Sequence, residues 1–173
     1  MSDDAEPGDS EASATELTHT TDGDAQMVDV TGKPDSRRRA VARGEIRLQE
    51  STVAAVRADE VDKGDVLTTA RIAAVRAVKH TWETIPLCHQ IPIGDVDTAF
   101  DVRDDRIALR VTVATTGQTG CEMEAIQGVT TGLSTVLDMV KAAEKDQNGA
   151  YDTEIGGVEI VEKTKRPVGD GGE

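Results

Sequence analysis

The stretch DVDTAFDVRDDRIALRVTV at residues 95–113 decides the fold. Its first run carries an apolar or β-branched residue at every second position: Val96, Thr98, Phe100 and Val102. A second β-rich run follows at residues 107–113, across a turn at Asp104 and Asp105. Alternation with a period of two is typical of a strand with one buried face. The stretch therefore predicts an antiparallel β-hairpin.

A long helix is predicted directly after this hairpin. No proline interrupts residues 122–146, and an apolar stripe recurs there with helical spacing: Ile126, Val129, Leu133, Val136, Leu137 and Val140. Gly128 and Gly132 lie inside this helix, where each glycine costs about 1 kcal/mol relative to alanine, so both are expected at places of close packing. Residues 147–157 predict a long loop, and a last strand is expected from Val158.

On the other side of the hairpin, the sequence predicts a strand and two helices. EIRLQ at residues 45–49 alternates like a strand, and Ser51 is placed to cap a short helix over 52–58. Asp65 is expected to cap a helix over 66–82 with the stripe Leu67, Ala70, Ala74, Val78 and Trp82. The order β, α in two pieces, β, β, α, β predicts an α+β, ferredoxin-like (split βαβ) fold, an antiparallel sheet with helices packed on one face.

Length and charge limit the classes of function. The 173 residues suit one domain, and 33 acidic against 19 basic residues give a net charge of −14, which argues against a nucleic-acid partner. Residues 1–26 hold eight carboxylates and no lysine or arginine, which predicts a disordered acidic tail before a domain over 27–167 and a flexible C-terminus over 168–173. The acidity and the scarcity of aromatic residues indicate a salt-adapted source.

The location also follows from composition. No apolar run is longer than four residues, so we expect no membrane partner and a cytoplasmic location. Cys88 and Cys121 are expected to be reduced thiols. No C-x-x-C or H-x-x-x-H spacing occurs, and no metal site is predicted.

Four polar segments are candidates for chemistry: KGD at 63–65, LCH at 87–89, GCEME at 120–124, and the series Asp138, Lys141 and Lys145. Each also has a structural explanation. Asp138 and Lys141 are spaced as an i,i+3 ion pair on a solvated helix face, and acids at a helix start favour the helix dipole. The cluster EKTKR at residues 162–166 would suit a small polyanionic ligand.

Four motifs in order resemble one family, the cyclic pyranopterin monophosphate synthases of molybdenum cofactor biosynthesis, or MoaC family. They are MVDVTGK at 27–33, KGDVLTTARIAAVRAVKHTWETIPLCH at 63–89, TGQTGCEMEA at 116–125 and LDMVKAAEKD at 137–146. The resemblance implies a ferredoxin-like subunit in a homohexamer, a trimer of dimers with active sites at subunit interfaces. With the composition, it predicts a salt-adapted archaeal source.

The resemblance also implies a reaction and its residues. A lyase of this family converts 3′,8-cyclo-7,8-dihydroguanosine 5′-triphosphate to cyclic pyranopterin monophosphate and releases pyrophosphate. No cofactor is implied, although Mg²⁺ on the substrate triphosphate stays open. The implied catalytic residues are Asp138, Lys141, Lys63 and Lys163, and the implied substrate-binding residues are Leu87, Cys88, His89, Glu122, Met123 and Glu124.

Acid–base chemistry by lysine requires a lowered pKa, which we expect from neighbouring cations or burial. A second class stays open, a ferredoxin-like regulatory module that binds an anionic nucleotide or pterin metabolite without turnover.

Overall fold

The computed structural model describes residues 20–21 and 24–168. Six strands and four helices lie within them: β1 (Thr20–Thr21), β2 (Asp24–Ala25), β3 (Ser36–Arg47), α1 (Glu50–Ala58), α2 (Val66–Lys79), α3 (Thr81–Thr84), β4 (Asp95–Val102), β5 (Arg106–Gly117), α4 (Glu122–Glu144) and β6 (Glu154–Pro167). None of the helices in this part of the chain is long and apolar enough to cross a membrane.

The four long strands form one antiparallel sheet in the order β4-β5-β3-β6. The two strands joined by the hairpin are neighbours, and the first and last long strands pair beside them. This arrangement confirms the predicted ferredoxin-like α+β fold. The helices cover one face, where alternate residues of β3 and β5 are buried, such as Ala42, Ile46, Leu109 and Val111.

The acidic tail predicted over residues 1–26 falls mostly outside the described residues, as does the predicted C-terminus beyond residue 168. Within that tail, β1 and β2 form a separate two-stranded ladder. The described chain then runs on from Gln26 toward β3.

The first long strand was predicted too short. β3 has 12 residues and begins at Ser36 rather than Glu45. Its first part holds Arg37, Arg38 and Arg39 in succession, and this run of charge hides the alternation. Pairing with β5 on one side and β6 on the other holds these residues in a strand, although the local sequence does not show one.

The predicted cap at Ser51 is wrong, because α1 begins at Glu50 and its N-cap is Gln49. The Gln49 amide donates to the carboxylate of Glu144, 3.1 Å away, and the Thr153 hydroxyl donates to the same carboxylate at 2.8 Å. Glu144 is 1% exposed. An acid at the end of α4, far away in the sequence, therefore accepts the hydrogen bond of a backbone N–H at the start of α1. No local pattern in the sequence could reveal this contact.

The predicted cap at Asp65 is confirmed, since its side chain accepts a hydrogen bond from the Thr68 amide at 2.9 Å. The helix that follows ends at Lys79, not at residue 82. His80 leaves the helical region with φ −119° and ψ 19°, and a short helix restarts at Thr81. Trp82 is consequently 39% exposed and does not continue the buried stripe.

The long helix is confirmed as α4, with 23 residues. An added Cβ at Gly128 would lie 2.9 Å from Val78 Cγ2 of α2, and one at Gly132 would collide with Leu109. The absence of side chains at these two glycines lets α4 pack against α2 and the sheet. The loop after α4 is shorter than predicted, because β6 already begins at Glu154.

Candidate active site

A cavity of about 600 Å³ opens beside the first turn of α4. Three stretches that are far apart in sequence line it: residues 26–33, the loop after α3, and the turn that leads into α4. Among the lining residues are six predicted to bind substrate: Leu87, Cys88, His89, Glu122, Met123 and Glu124. The volume lies in the range of small-ligand sites. The structure therefore brings this whole predicted set together.

Two glutamates in this cavity have opposite electrostatic behaviour. Glu124 is 4% exposed, and its burial raises its pKa to about 7, with a smaller contribution from the charge of Glu122. Burial also opposes ionisation of Glu122, but its ion pair with Lys163, its own backbone N–H and the charge of Arg38 together outweigh that effect and lower the pKa of Glu122. One carboxyl thus changes protonation near neutral pH while its neighbour stays ionised.

Lys163 lies in β6, where it pairs with Ala40 of β3, and it reaches one of the residues that line the cavity. Its ammonium group contacts the Glu122 carboxylate. This places one of the four predicted catalytic residues at the start of α4, with the predicted binding residues. It lies inside β6, not at the strand's end as the basic cluster suggested.

Arg38 is a functional candidate that the sequence did not single out. Its guanidinium donates to two backbone carbonyl oxygens of the turn before α4, Gly117 at 3.3 Å and Gln118 at 3.0 Å. Its positive charge also helps to lower the pKa of Glu122. The signal in the sequence was weak, because Arg38 lies within a run of three arginines in which Arg39 is half-buried as well. That run conceals which arginine points inward.

The segment MVDVTGK also lines the cavity, through Val28, Val30 and Lys33. Asp29 holds the turn of this segment, because its side chain accepts hydrogen bonds from the Thr31 hydroxyl at 2.7 Å and the Thr31 amide at 2.9 Å. The segment was recognised as a motif, but no residue in it was assigned to the site.

The other three predicted catalytic residues form a second cluster near the end of α4. Lys141 Nζ lies 2.6 Å from Asp138 Oδ1, and Lys63 Nζ lies 3.3 Å from Asp138 Oδ2 and 2.7 Å from the Asp138 carbonyl oxygen. The hydrogen bond from Lys141, followed by that from Lys63, lowers the pKa of Asp138. Lys63, in the loop before α2, thus adds a second lysine to the i,i+3 ion pair of Asp138 and Lys141, which their spacing predicted.

The expected lowering of a lysine pKa is not found at Lys141. The hydrogen bond to Asp138 raises the pKa of Lys141. All three side chains are about half exposed, so water still surrounds them. In a single chain the cluster is a solvated ion pair, and Lys141 is held in its charged form.

The two clusters lie at opposite ends of one helix. Glu122 and Asp138 are 16 positions apart in α4, or about 24 Å along its axis. A ligand of nucleotide size cannot contact both clusters within one chain. The structure brings together each half of the predicted site but does not bring the halves together.

The described residues include two cysteines, Cys88 and Cys121. Burial raises the pKa of both cysteines, that of Cys121 to about 11. Both are free. Within residues 20–21 and 24–168, no group of three or more His, Cys, Asp or Glu side chains is arranged to hold a metal ion.

This fold and this site define a class: ferredoxin-like α+β proteins with carboxylates and lysines at a cavity of small-ligand size. Comparison with known proteins gives the family. The model of the MoaC family matches residues 27–166. The chain belongs to that family.

Its relatives include archaeal proteins of similar length. A probable cyclic pyranopterin monophosphate synthase of Natronomonas pharaonis is 66% identical over 153 residues, which cover 87% of this chain and 96% of the relative. One from Halobacterium salinarum is 71% identical over 136 residues, or 78% and 83% of the two chains. A Methanothermobacter thermautotrophicus protein, a probable cyclic pyranopterin monophosphate synthase accessory protein, is 51% identical over 151 residues, or 87% and 95%.

Proposed function

We propose that this protein is a cyclic pyranopterin monophosphate synthase, a lyase of molybdenum cofactor biosynthesis that acts in the cytoplasm. Its substrate would be 3′,8-cyclo-7,8-dihydroguanosine 5′-triphosphate, and its products cyclic pyranopterin monophosphate and pyrophosphate. One observation carries the proposal beyond family membership. The cavity at the start of α4 gathers all six predicted binding residues, and Lys163 contacts one of them, Glu122.

The pocket offers the groups that this chemistry needs. Rearrangement of the purine requires protons to move to and from ring atoms, and Glu124 changes protonation near pH 7, where such transfers are efficient. His89 faces the same cavity and is a second proton carrier. Glu122 stays ionised and fixes Lys163 beside the pocket.

Closure of the cyclic phosphate needs positive charge. A sugar hydroxyl attacks the α-phosphate and pyrophosphate leaves, so negative charge builds on the phosphate oxygens. Lys63, Lys141 and Lys163 are placed to neutralise it if their two clusters meet. In this proposal any Mg²⁺ arrives on the triphosphate and is not held by the protein.

The clusters meet only between subunits. A neighbouring chain whose α4 runs in the opposite sense would bring Asp138 and Lys141 of the partner subunit to the first chain's cavity. Removal from water would then weaken the charged form of Lys141 and lower its pKa, as acid–base chemistry requires. A two-fold axis makes two such sites at once, which fits the homohexamer, a trimer of dimers, implied by the family.

The test is incubation of the purified protein with the cyclic GTP-derived substrate at high salt. Pyrophosphate and cyclic pyranopterin monophosphate are expected in equal amounts. A protein that binds the substrate without forming either product would be a regulatory module, and the proposal would be wrong. Asp138→Asn separates the two roles further, because it should abolish turnover while binding is retained.

A further inference from the structure

The segment between α4 and β6 carries the one tyrosine of the chain, Tyr151, which is 46% exposed. Its ring lies against the end of α4, since Lys145 Nζ is 5.8 Å from the ring centroid. The backbones of Lys145 and Tyr151 also pair in an antiparallel bridge. Lys141 precedes Lys145 by four positions and so lies on the same side of the helix. Tyr151 therefore borders the second cluster.

The oxygen of Tyr151 is within electrostatic reach of Lys141. The hydrogen bond to Asp138 is the main cause of the raised pKa of Lys141, and the Tyr151 oxygen adds to it at longer range. A phenol hydroxyl is an uncharged hydrogen-bond donor at neutral pH. A charged donor and an uncharged donor thus lie side by side at the end of α4.

Contacts on both sides of Tyr151 hold it in place. Before it, the Asp146 carboxylate accepts a hydrogen bond from the Ala150 amide at 2.8 Å. After it, the Arg47 guanidinium donates two hydrogen bonds to the Asp152 carboxylate, at 3.1 and 3.2 Å. A side chain that is positioned in advance loses little freedom when it binds a ligand. The loop therefore presents Tyr151 ready for a contact.

The charge of the second cluster indicates which chemical group it would contact. Lys63 and Lys141 both pair with Asp138, so two ammonium groups share one carboxylate. The cluster has a net positive charge in a chain whose net charge is −14. Such a local excess of positive charge suits the anionic part of a ligand. In the proposed function, that part is the triphosphate of the substrate.

An uncharged donor has an advantage in a salt-adapted protein. Salt screens the attraction between exposed charges, and the lysines of the second cluster are about half exposed. A hydrogen bond from a hydroxyl group does not depend on a charge of the donor. Tyr151 can therefore keep a contact with phosphate under conditions that weaken the contacts made by Lys63 and Lys141.

We propose that the Tyr151 hydroxyl donates a hydrogen bond to a phosphate oxygen of the bound substrate, next to Lys141, and that this contact persists at high salt. The inference rests on the proposed function for the identity of the substrate. Tyr151 is then a substrate-binding residue that lies outside all four sequence motifs.

The first test is Tyr151→Phe, which removes the hydroxyl and keeps the ring. Loss of a hydrogen bond to a charged group should raise KM about tenfold with little change in kcat. Asn148→Ala is the matched control, because it removes a polar side chain from the same exposed loop, and it should change neither constant. An unchanged KM in Tyr151→Phe would overturn the proposal. A lower molar mass of the Tyr151→Phe assembly would also overturn it, by placing the hydroxyl between subunits.

A second test measures binding without turnover. Inorganic tripolyphosphate should bind to the unmodified protein in calorimetry, and about tenfold more weakly to Tyr151→Phe. As potassium chloride is raised, this ratio should stay constant, while the loss of affinity caused by Lys141→Ala should shrink. Equal affinities for Tyr151→Phe and the unmodified protein, no binding to the latter, or a ratio that shrinks as it does for Lys141→Ala would overturn the proposal.

The two tests also separate this inference from the proposed function. Weaker binding of tripolyphosphate by Tyr151→Phe, with no product formed from the cyclic GTP-derived substrate by the unmodified protein, would contradict the proposed function alone. Normal turnover with equal affinities would contradict the role of Tyr151 alone.

Discussion

The two ends of α4 carry the same kinds of residue in different surroundings. At the start of the helix, Glu124 is buried and its pKa is raised to about 7, and Lys163 contacts Glu122 at the wall of a cavity. At the end, Asp138 and two lysines form an ion-pair cluster about half exposed to water. Burial prepares the first end for proton transfer within one chain. In the proposed function, a partner subunit would remove water from the second end.

The largest effect on turnover is expected from replacing the lysines at the two ends of α4. Lys141→Ala and Lys163→Ala should each lower turnover at least about a hundredfold, the low end of general acid–base effects, with the assembly intact. Steady-state kinetics and light scattering measure both. Lys145→Ala is the matched control, because Lys145 follows α4 directly and lies over the Tyr151 ring. Equal losses at Lys145 and Lys141 would mean that net charge alone matters.

The raised pKa of Glu124, at the buried end of α4, is expected to make the free energy of unfolding depend on pH. The folded protein keeps a proton on Glu124 that the unfolded chain, with a pKa near the ordinary 4.5, has released. This contribution is present below about pH 4.5 and is lost as pH rises toward 7, by roughly 3 kcal/mol. Glu124→Gln should therefore gain stability relative to the original chain across that range. A constant difference in free energy of unfolding from pH 4 to 8 would contradict the shift.

A smaller effect is expected from Arg38, which holds the turn that leads into α4. Arg38→Lys keeps the charge but cannot hold both carbonyl oxygens of the turn at Gly117 and Gln118. We expect about a tenfold loss of turnover and faster amide exchange in that turn. Arg37→Lys, at an exposed neighbouring position, should behave like the original chain. Equal effects at both positions would show that Arg38 has no particular role in positioning this turn.

The smallest effect is expected outside both ends of α4. A chain that starts at Met27 lacks the acidic segment, whose charge would repel a triphosphate. It should keep more than a tenth of full turnover. A folded and assembled protein below that level would show that the acidic segment contributes to the site.

The structural features that depend on local periodicity could be predicted from the sequence. The hairpin, α4 and the cap at Asp65 follow from alternation, helical spacing and one side chain, and the structure confirms them. The start of β3 and the cap of α1 depend on pairing with distant strands and on Glu144, so no local pattern reveals them. The same holds for Arg38, whose role depends on a turn some 80 residues away.

The site was predicted in its parts but not in its arrangement. Motif matching assigned the residues at both ends of α4, and helix rise alone shows that the ends are too far apart for one ligand. The opposite electrostatic states of those ends arise from burial, which depends on tertiary packing. A single sequence contains the residues but not the neighbouring chain that would bring them together.

Mixed assemblies test most directly whether one active site uses both ends of α4 from two subunits. His89→Ala removes a group from the buried end, and Lys141→Ala removes one from the exposed end. Each variant alone should be nearly inactive. Unfolded and refolded together in equal amounts, they should regain about a quarter of full turnover, because half of the two-fold pairs are mixed and each holds one intact site. Mixed assemblies confirmed by mass that stay as inactive as either parent would show that the site is built within a single chain.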